Sequence, residues 1–170
     1  SLILAALSWR AFADRTSSRF ALFLAEVTLW AVLVMSSPGW FRNVFSVLQI
    51  FSWILLTVSR VLGLSGFYVL SGGGWLGKSR RVGAGIPHAA TLVMAGPYKF
   101  IRHPVYMALI LLGWGAALKA LSFSSFVLAV IATGLLYYCS YLEELENLER
   151  FGNEYDRYME TTRMLVPGVF

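Results

Sequence analysis

Four apolar stretches, separated by short polar breaks, dominate the chain. They cover residues 19–36, 44–70, 105–118 and 123–142. A helix needs about 20 residues to cross the hydrocarbon core of a bilayer. The third stretch is short, and its flanks at 101–104 and 119–122 are expected to carry it through the interface. Residues 2–9 (LILAALSW) are too short to cross and read as the end of a truncated first helix or as an interfacial segment. They are not a signal peptide, because no basic segment precedes them. The chain begins at Ser1, so a native start upstream is expected. No stretch alternates with the period of a strand. The pattern therefore predicts an all-α fold, a polytopic integral membrane helical bundle with four full spans.

Composition agrees. Hydrophobic residues make up 58% and charged residues 14%, where a soluble domain carries about 25% charged residues. Disorder, a nucleic-acid module and a disulfide scaffold are excluded; the single cysteine, Cys139, can form no intrachain disulfide. The net charge of +5 is then read as basic residues flanking membrane spans. With four crossings, Arg10, Arg15, Arg19, Lys78, Arg80, Arg81, Lys99, Arg102, Arg150, Arg157 and Arg163 fall on one side. Only Arg42 and Lys119 fall on the other, with Arg60 inside a span. That bias makes the first side cytoplasmic.

Polar chemistry gathers at two places on that side, and the tight turn near 121–124 makes the last two spans antiparallel neighbours. The first is Gly96-Pro97-Tyr98-Lys99-Phe100-Ile101-Arg102-His103-Pro104-Val105-Tyr106. Pro104 suits the first turn of a helix, and Arg102 and His103 just before it favour an anionic group. Such a segment is the rim of a pocket for a carboxylate and a flat ring, or an interfacial anchor. The second is Glu143-Glu144 with Glu146, Glu149, Phe151-Gly152, Tyr155, Tyr158 and Arg163. Two acids at the end of a helix oppose its dipole. They call for a cationic ligand or for partners such as Arg102, Lys99 or Arg150. Neither His88, in a polar loop, nor Cys139 belongs to a metal site of familiar spacing, and Ser71-Gly72-Gly73-Gly74 reads as a loop. Glu26 and Arg60, charges inside spans, are expected to be functional or paired, with each other as one arrangement.

In this order and spacing, Gly-Pro-Tyr-x-x-x-Arg-His-Pro-x-Tyr, a helical hairpin, Glu-Glu, Phe-Gly-x-x-Tyr-x-x-Tyr, Arg and Pro resemble the isoprenylcysteine carboxyl methyltransferases and the related phospholipid methyltransferases. The likeness covers residues 88–167. It implies a membrane methyltransferase occupying 1–170 as a single domain, with N-terminal spans and loop at 1–87 and a cofactor-binding hairpin and tail at 88–170. The implied cofactor is S-adenosylmethionine, with no metal and no nucleic acid. Contacts to it are implied for Ala90, Thr91, Leu92, Val93, Tyr98, His103, Pro104, Val105, Tyr106 and Glu143.

Catalytic roles are expected for Glu144 as general base, Arg102 in orienting the cofactor or the motif, and Arg163 toward an anionic head group. The isoprenylcysteine enzymes carry His where this chain has Ala90, and Arg where it has Cys139. The second difference removes a partner for a substrate carboxylate. A lipid amine or other lipid-linked acceptor at the bilayer is therefore expected, ahead of a prenylated protein or a small thiol. Sterol reductases share a distant version of the motif and bind a nicotinamide cofactor. Glu143-Glu144 and Arg150-Phe151-Gly152 stand where those carry an Arg-Asp pair and a Lys-Tyr-Gly segment. A non-catalytic membrane subunit is the remaining alternative.

Overall fold

The computed structural model describes residues 20–70 and 92–166. Ala90, Thr91, His88, the 71–74 loop, residues 2–9 and Pro167 lie outside the described residues. Residues 20–36 form α1, which tightens into a 3-10 turn at Ser37–Gly39, where Pro38 lacks the N–H that a continuing helix would use. Helix α2 is Val47–Leu70. Its first turn is capped by Ser46, whose hydroxyl accepts from the Gln49 backbone N–H at 3.3 Å. A 3-10 turn at Gly96–Lys99 leads to α3, Pro104–Ala117, with its proline in the first turn. Helix α4 is Phe123–Phe151, capped by Ser122, which accepts from the Ser125 N–H at 3.1 Å.

The apolar run predicts an end for α4 near Leu142, yet the helix continues to Phe151. The reason is local. Leu, Glu and Arg between 143 and 150 are strong helix formers whatever their polarity. Gly152, at φ +53°, supplies the backbone conformation that ends it, and α5 follows at Asn153–Thr161.

Helices α1, α2 and α4 are long and apolar enough to cross a membrane. Helix α3 is apolar but has 14 residues, about 21 Å at 1.5 Å per residue, short of a hydrocarbon core of about 30 Å. The flanks expected to lengthen it are not helical. Ile101 pairs in parallel with Arg163, and residues 118–122 form the turn into α4.

Although the shortest of the four apolar helices, α3 is central. Its small residues, Ala108, Gly113, Gly115, Ala116 and Ala117, are buried and let neighbouring backbones come close. A Cβ on Gly115 would stand 2.9 Å from the Leu56 side chain of α2, so glycine is required there. Two α2 hydroxyls bond to α3 carbonyls, Ser52 to Gly115 at 2.6 Å and Ser59 to Ala108 at 2.7 Å. Helix α1 closes the bundle: Ala25 and Leu29 pack with Ala132 and Leu136 of α4, and Val32 packs with Ala116, Ala117 and Ala129. The outer face of α2 leaves Ile54, Val58, Val61 and Leu64 exposed, as a lipid-facing helix does. Glu26 and Arg60 are both exposed, and no ion pair joins them among the described residues.

Candidate active site

The start of α3, the end of α4 and α5 meet at one end of the bundle. The tail after α5 holds them together. Arg102 N–H donates to the Arg163 carbonyl at 2.8 Å, His103 N–H to Met164 at 3.1 Å, and Arg163 N–H to Phe100 at 3.1 Å. The side chain of Arg102 adds a second tie. Its Nε lies 2.5 Å from Glu144 Oε1, and its Nη1 donates to the Thr162 carbonyl at 2.7 Å and to Met159 at 3.4 Å. Arg102 and Glu144 side chains are only 8% and 9% exposed, so this is a buried, hydrogen-bonded pair. Tyr158 completes the frame by donating its hydroxyl to the Tyr98 carbonyl at 2.5 Å.

Within this frame lies a cavity of about 390 Å³. Tyr98, Arg102, His103, Tyr106, Glu143 and Arg150 give it polar walls, and Leu92, Val93, Val105, Phe151 and the end of α2 at Phe67 and Leu70 give it apolar ones. Glu143 is 40% exposed and accepts a hydrogen bond from the Tyr106 hydroxyl. The His103 ring stacks on Tyr106 at 5.7 Å, nearly parallel. His103 is held between the two acids, Nδ1 3.5 Å from Glu143 and Nε2 3.5 Å from Glu144. The second contact is not a well-formed hydrogen bond, because Nε2 is buried without a partner that satisfies hydrogen-bond geometry. This nitrogen faces Glu144, outside the cavity lining, while Nδ1 is on the side of cavity-lining Glu143.

Burial pulls the His103 pKa down, but the Glu143 and Glu144 carboxylates, each 3.5 Å from a ring nitrogen, outweigh it, so the net shift is upward from 6.5. A raised histidine pKa means that the folded state binds the proton more tightly than the unfolded chain. The resulting stabilisation is full below pH 6.5 and is lost as pH rises through the folded value. A pH series of unfolding midpoints should therefore fall on the alkaline side for the parent protein and flatten there for His103→Gln. Parallel profiles would show that the proton is not held at this ring. The tyrosines do not ionise near neutrality. Burial and then the Glu143 charge raise Tyr98, and Tyr155 is pushed up, chiefly by burial, to about 12. Their hydroxyls serve as donors.

Of the residues singled out in the sequence, Leu92, Val93, Tyr98, Arg102, His103, Val105, Tyr106 and Glu143 line this one cavity. Pro104 is buried behind it, toward α2 at Gly66. Glu144 lies outside the lining, against Arg102. Arg163 carries an exposed side chain away from the cavity and contributes its backbone. Asn147 and Arg150 of α4 and Phe67 and Leu70 of α2 line the cavity without having been singled out as site residues. The first two had a signal: Glu143, Asn147 and Arg150 follow the i, i+4, i+7 spacing of one helical face. Phe67 and Leu70 had none. Among the described residues, no group of acids, histidines and cysteine is arranged to hold a metal ion.

A helical membrane bundle with an acid- and tyrosine-lined cavity at one end defines the class. The family model described as phospholipid methyltransferase matches residues 47–154. The chain belongs to this family, whose domain spans α2 to the start of α5. Two curated relatives are similar over a shorter stretch. Methanethiol S-methyltransferase 1 of Bradyrhizobium diazoefficiens is 33% identical over 70 residues, 41% of this chain and 24% of the relative. Methanethiol S-methyltransferase of Pseudomonas deceptionensis is 32% identical over 72 residues, 42% of this chain and 27% of the relative. The match thus spans about a quarter of each relative's length. No solved structure matches.

Proposed function

We propose that the protein is an S-adenosylmethionine-dependent methyltransferase working in the cavity between α3 and α4. The observation that carries this reading is the convergence of Glu143, His103, Tyr106, Tyr98 and Arg150 on one partly apolar cavity. These residues fit the cofactor: an acid suits its cationic groups, Arg150 its carboxylate, and the stacked His103–Tyr106 pair its flat ring. When bound, S-adenosylmethionine supplies a methyl group already activated by the neighbouring sulfonium charge.

The chain's own work is then to position the acceptor and exclude water. An amine or thiol acceptor sheds a proton, and the Glu143 carboxylate faces the cavity to take it. Glu144, with one oxygen engaged by Arg102, acts as a positioning residue together with that arginine. Arg163, exposed and outside the cavity lining, is left for an anionic head group. In the bilayer we place α3 as a fourth crossing with its flanks, the cavity on the cytoplasmic side by the positive-inside bias, and the whole chain as one domain.

The acceptor we favour is a small thiol. Both curated relatives bear that activity in their names, Cys139 stands where a carboxylate-gripping arginine would be expected, and Arg102 is already engaged. A lipid amine is the second reading. It is supported by the family description and by exposed Phe67 and Leu70 on the cavity wall. Purified protein with methyl-labelled S-adenosylmethionine, offered methanethiol or total membrane lipids, separates them. Label in a volatile thioether supports the thiol; label in the lipid extract supports the amine. Titration with S-adenosylhomocysteine should give saturable binding and NADPH none. The reverse would make the protein a reductase, and cofactor binding without turnover of either acceptor would favour the non-catalytic subunit.

A further inference from the structure

We infer a phospholipid-binding site at the opposite end of the bundle, built around Lys119 and Arg42. It is separate from the reaction above: Lys119 follows α3 at the end away from His103, about 21 Å along the helix axis by the α-helical rise. Lys119 is 3% exposed. Its ammonium donates to Gln49 Oε1 at 2.9 Å and sits 3.5 Å from the Trp53 ring centroid. The Gln49 amide nitrogen in turn donates to the Gly39 and Lys119 carbonyls, each at 3.1 Å. All these partners are neutral. Among the described residues no carboxylate pairs with Lys119 or with exposed Arg42. A buried cation without a counter-charge is costly, and an anion that docks beside it removes the cost.

The room for one is present. Arg42 and Lys119 line a cavity of about 380 Å³ together with Asn43, Ser46 and Ser122, and no acid is in its wall. Ser46 and Ser122, which cap α2 and α4, place hydroxyls beside the two cations in this cavity. The surroundings select a lipid over a free ion. Phe41, Phe45, Leu121 and Phe123 stand exposed around this end, as interfacial anchors do. Trp53, which carries the ammonium on its ring, also lines an apolar groove with Ile50, Ile54 and Val58. The phosphate of a phospholipid fits the cationic cavity and an acyl chain fits the groove. This leaflet is the one away from the methyl-transfer site, so the lipid is a structural ligand and not the acceptor.

The test uses the full chain purified in detergent and titrated with short-chain phosphatidylglycerol, with the matching diacylglycerol, or with inorganic phosphate. Binding is read from unfolding midpoints and from the lipid retained in native mass spectrometry. Phosphatidylglycerol should raise the midpoint and be retained, while diacylglycerol and inorganic phosphate do neither. Arg42→Gln, a surface change, should weaken the phosphatidylglycerol effect about tenfold, as loss of one charged contact would, with S-adenosylhomocysteine binding unchanged. Lys119→Gln should weaken it further if it folds. Equal binding by Arg42→Gln, equal stabilisation by diacylglycerol, or inorganic phosphate acting as well as the lipid would each overturn the proposal.

Discussion

Replacing Arg102 with Met should destabilise the protein by about 3–5 kcal/mol, the largest effect expected of any single change at this end of the bundle. The reason is what the guanidinium joins. It bonds Glu144 of α4 and the backbone carbonyls of Met159 and Thr162 beyond it, with both charged side chains almost fully buried. Removing one partner leaves the Glu144 charge buried and two carbonyls short of a donor. The tail pairing between residues 100–103 and 163–164 loses its side-chain tie at the same time. Thermal unfolding in detergent or nanodiscs should show a markedly lower midpoint. Glu144→Gln should lower it less, because an amide can still accept from Arg102. An Arg102→Met protein that unfolds normally yet no longer binds S-adenosylhomocysteine would instead place the arginine on the cofactor.

Glu143→Gln should behave in the opposite way, with a nearly normal unfolding midpoint and S-adenosylhomocysteine binding weakened by about 1.5–3 kcal/mol, or about 10- to 150-fold. Glu143 is 40% exposed and lines the cavity, so apart from its contact with His103 its charge contributes little to holding the bundle. Glutamine keeps an oxygen for the Tyr106 hydroxyl and removes the negative charge that a cationic ligand would use, together with the charge facing His103. Calorimetric titration measures the loss directly, and unchanged affinity would take Glu143 out of the binding site. Tyr106→Phe is the companion variant. It frees the carboxylate while leaving the ring stacked on His103, and it should cost less than Glu143→Gln. The adjacent glutamates thus predict two distinct phenotypes, one in binding and one in stability.

Much of this protein is legible along the chain. The apolar runs mark α1, α2 and α4 because a membrane helix must be apolar along its length. Pro104 and Ser122 mark helix starts, since the first turn tolerates a missing N–H and wants a side-chain acceptor. The Arg-His-Pro motif and the Glu-Glu pair identify the two segments that form the cavity, and the short hairpin forces them together. These are local or nearest-neighbour constraints, which a sequence states directly.

Other features depend on rotation and on distant partners. Neighbouring glutamates differ by about 100° around a helix, and only the packing of α4 on α3 turns Glu143 to the cavity and Glu144 to Arg102. Arg102, at a helix start that suits an anionic ligand, is instead engaged by Glu144 and by carbonyls some sixty residues away. Arg163 joins the site through its backbone, a role that side-chain chemistry cannot announce. Helix α3 is short because its flank at Ile101 pairs with the tail and does not continue the helix. The end of α2 reaches the cavity because its own Gly63 and Gly66 let it close on Ala108, Val105 and Pro104 of α3. In each case local propensity is neutral between outcomes, and the long-range fit of one helix against another decides.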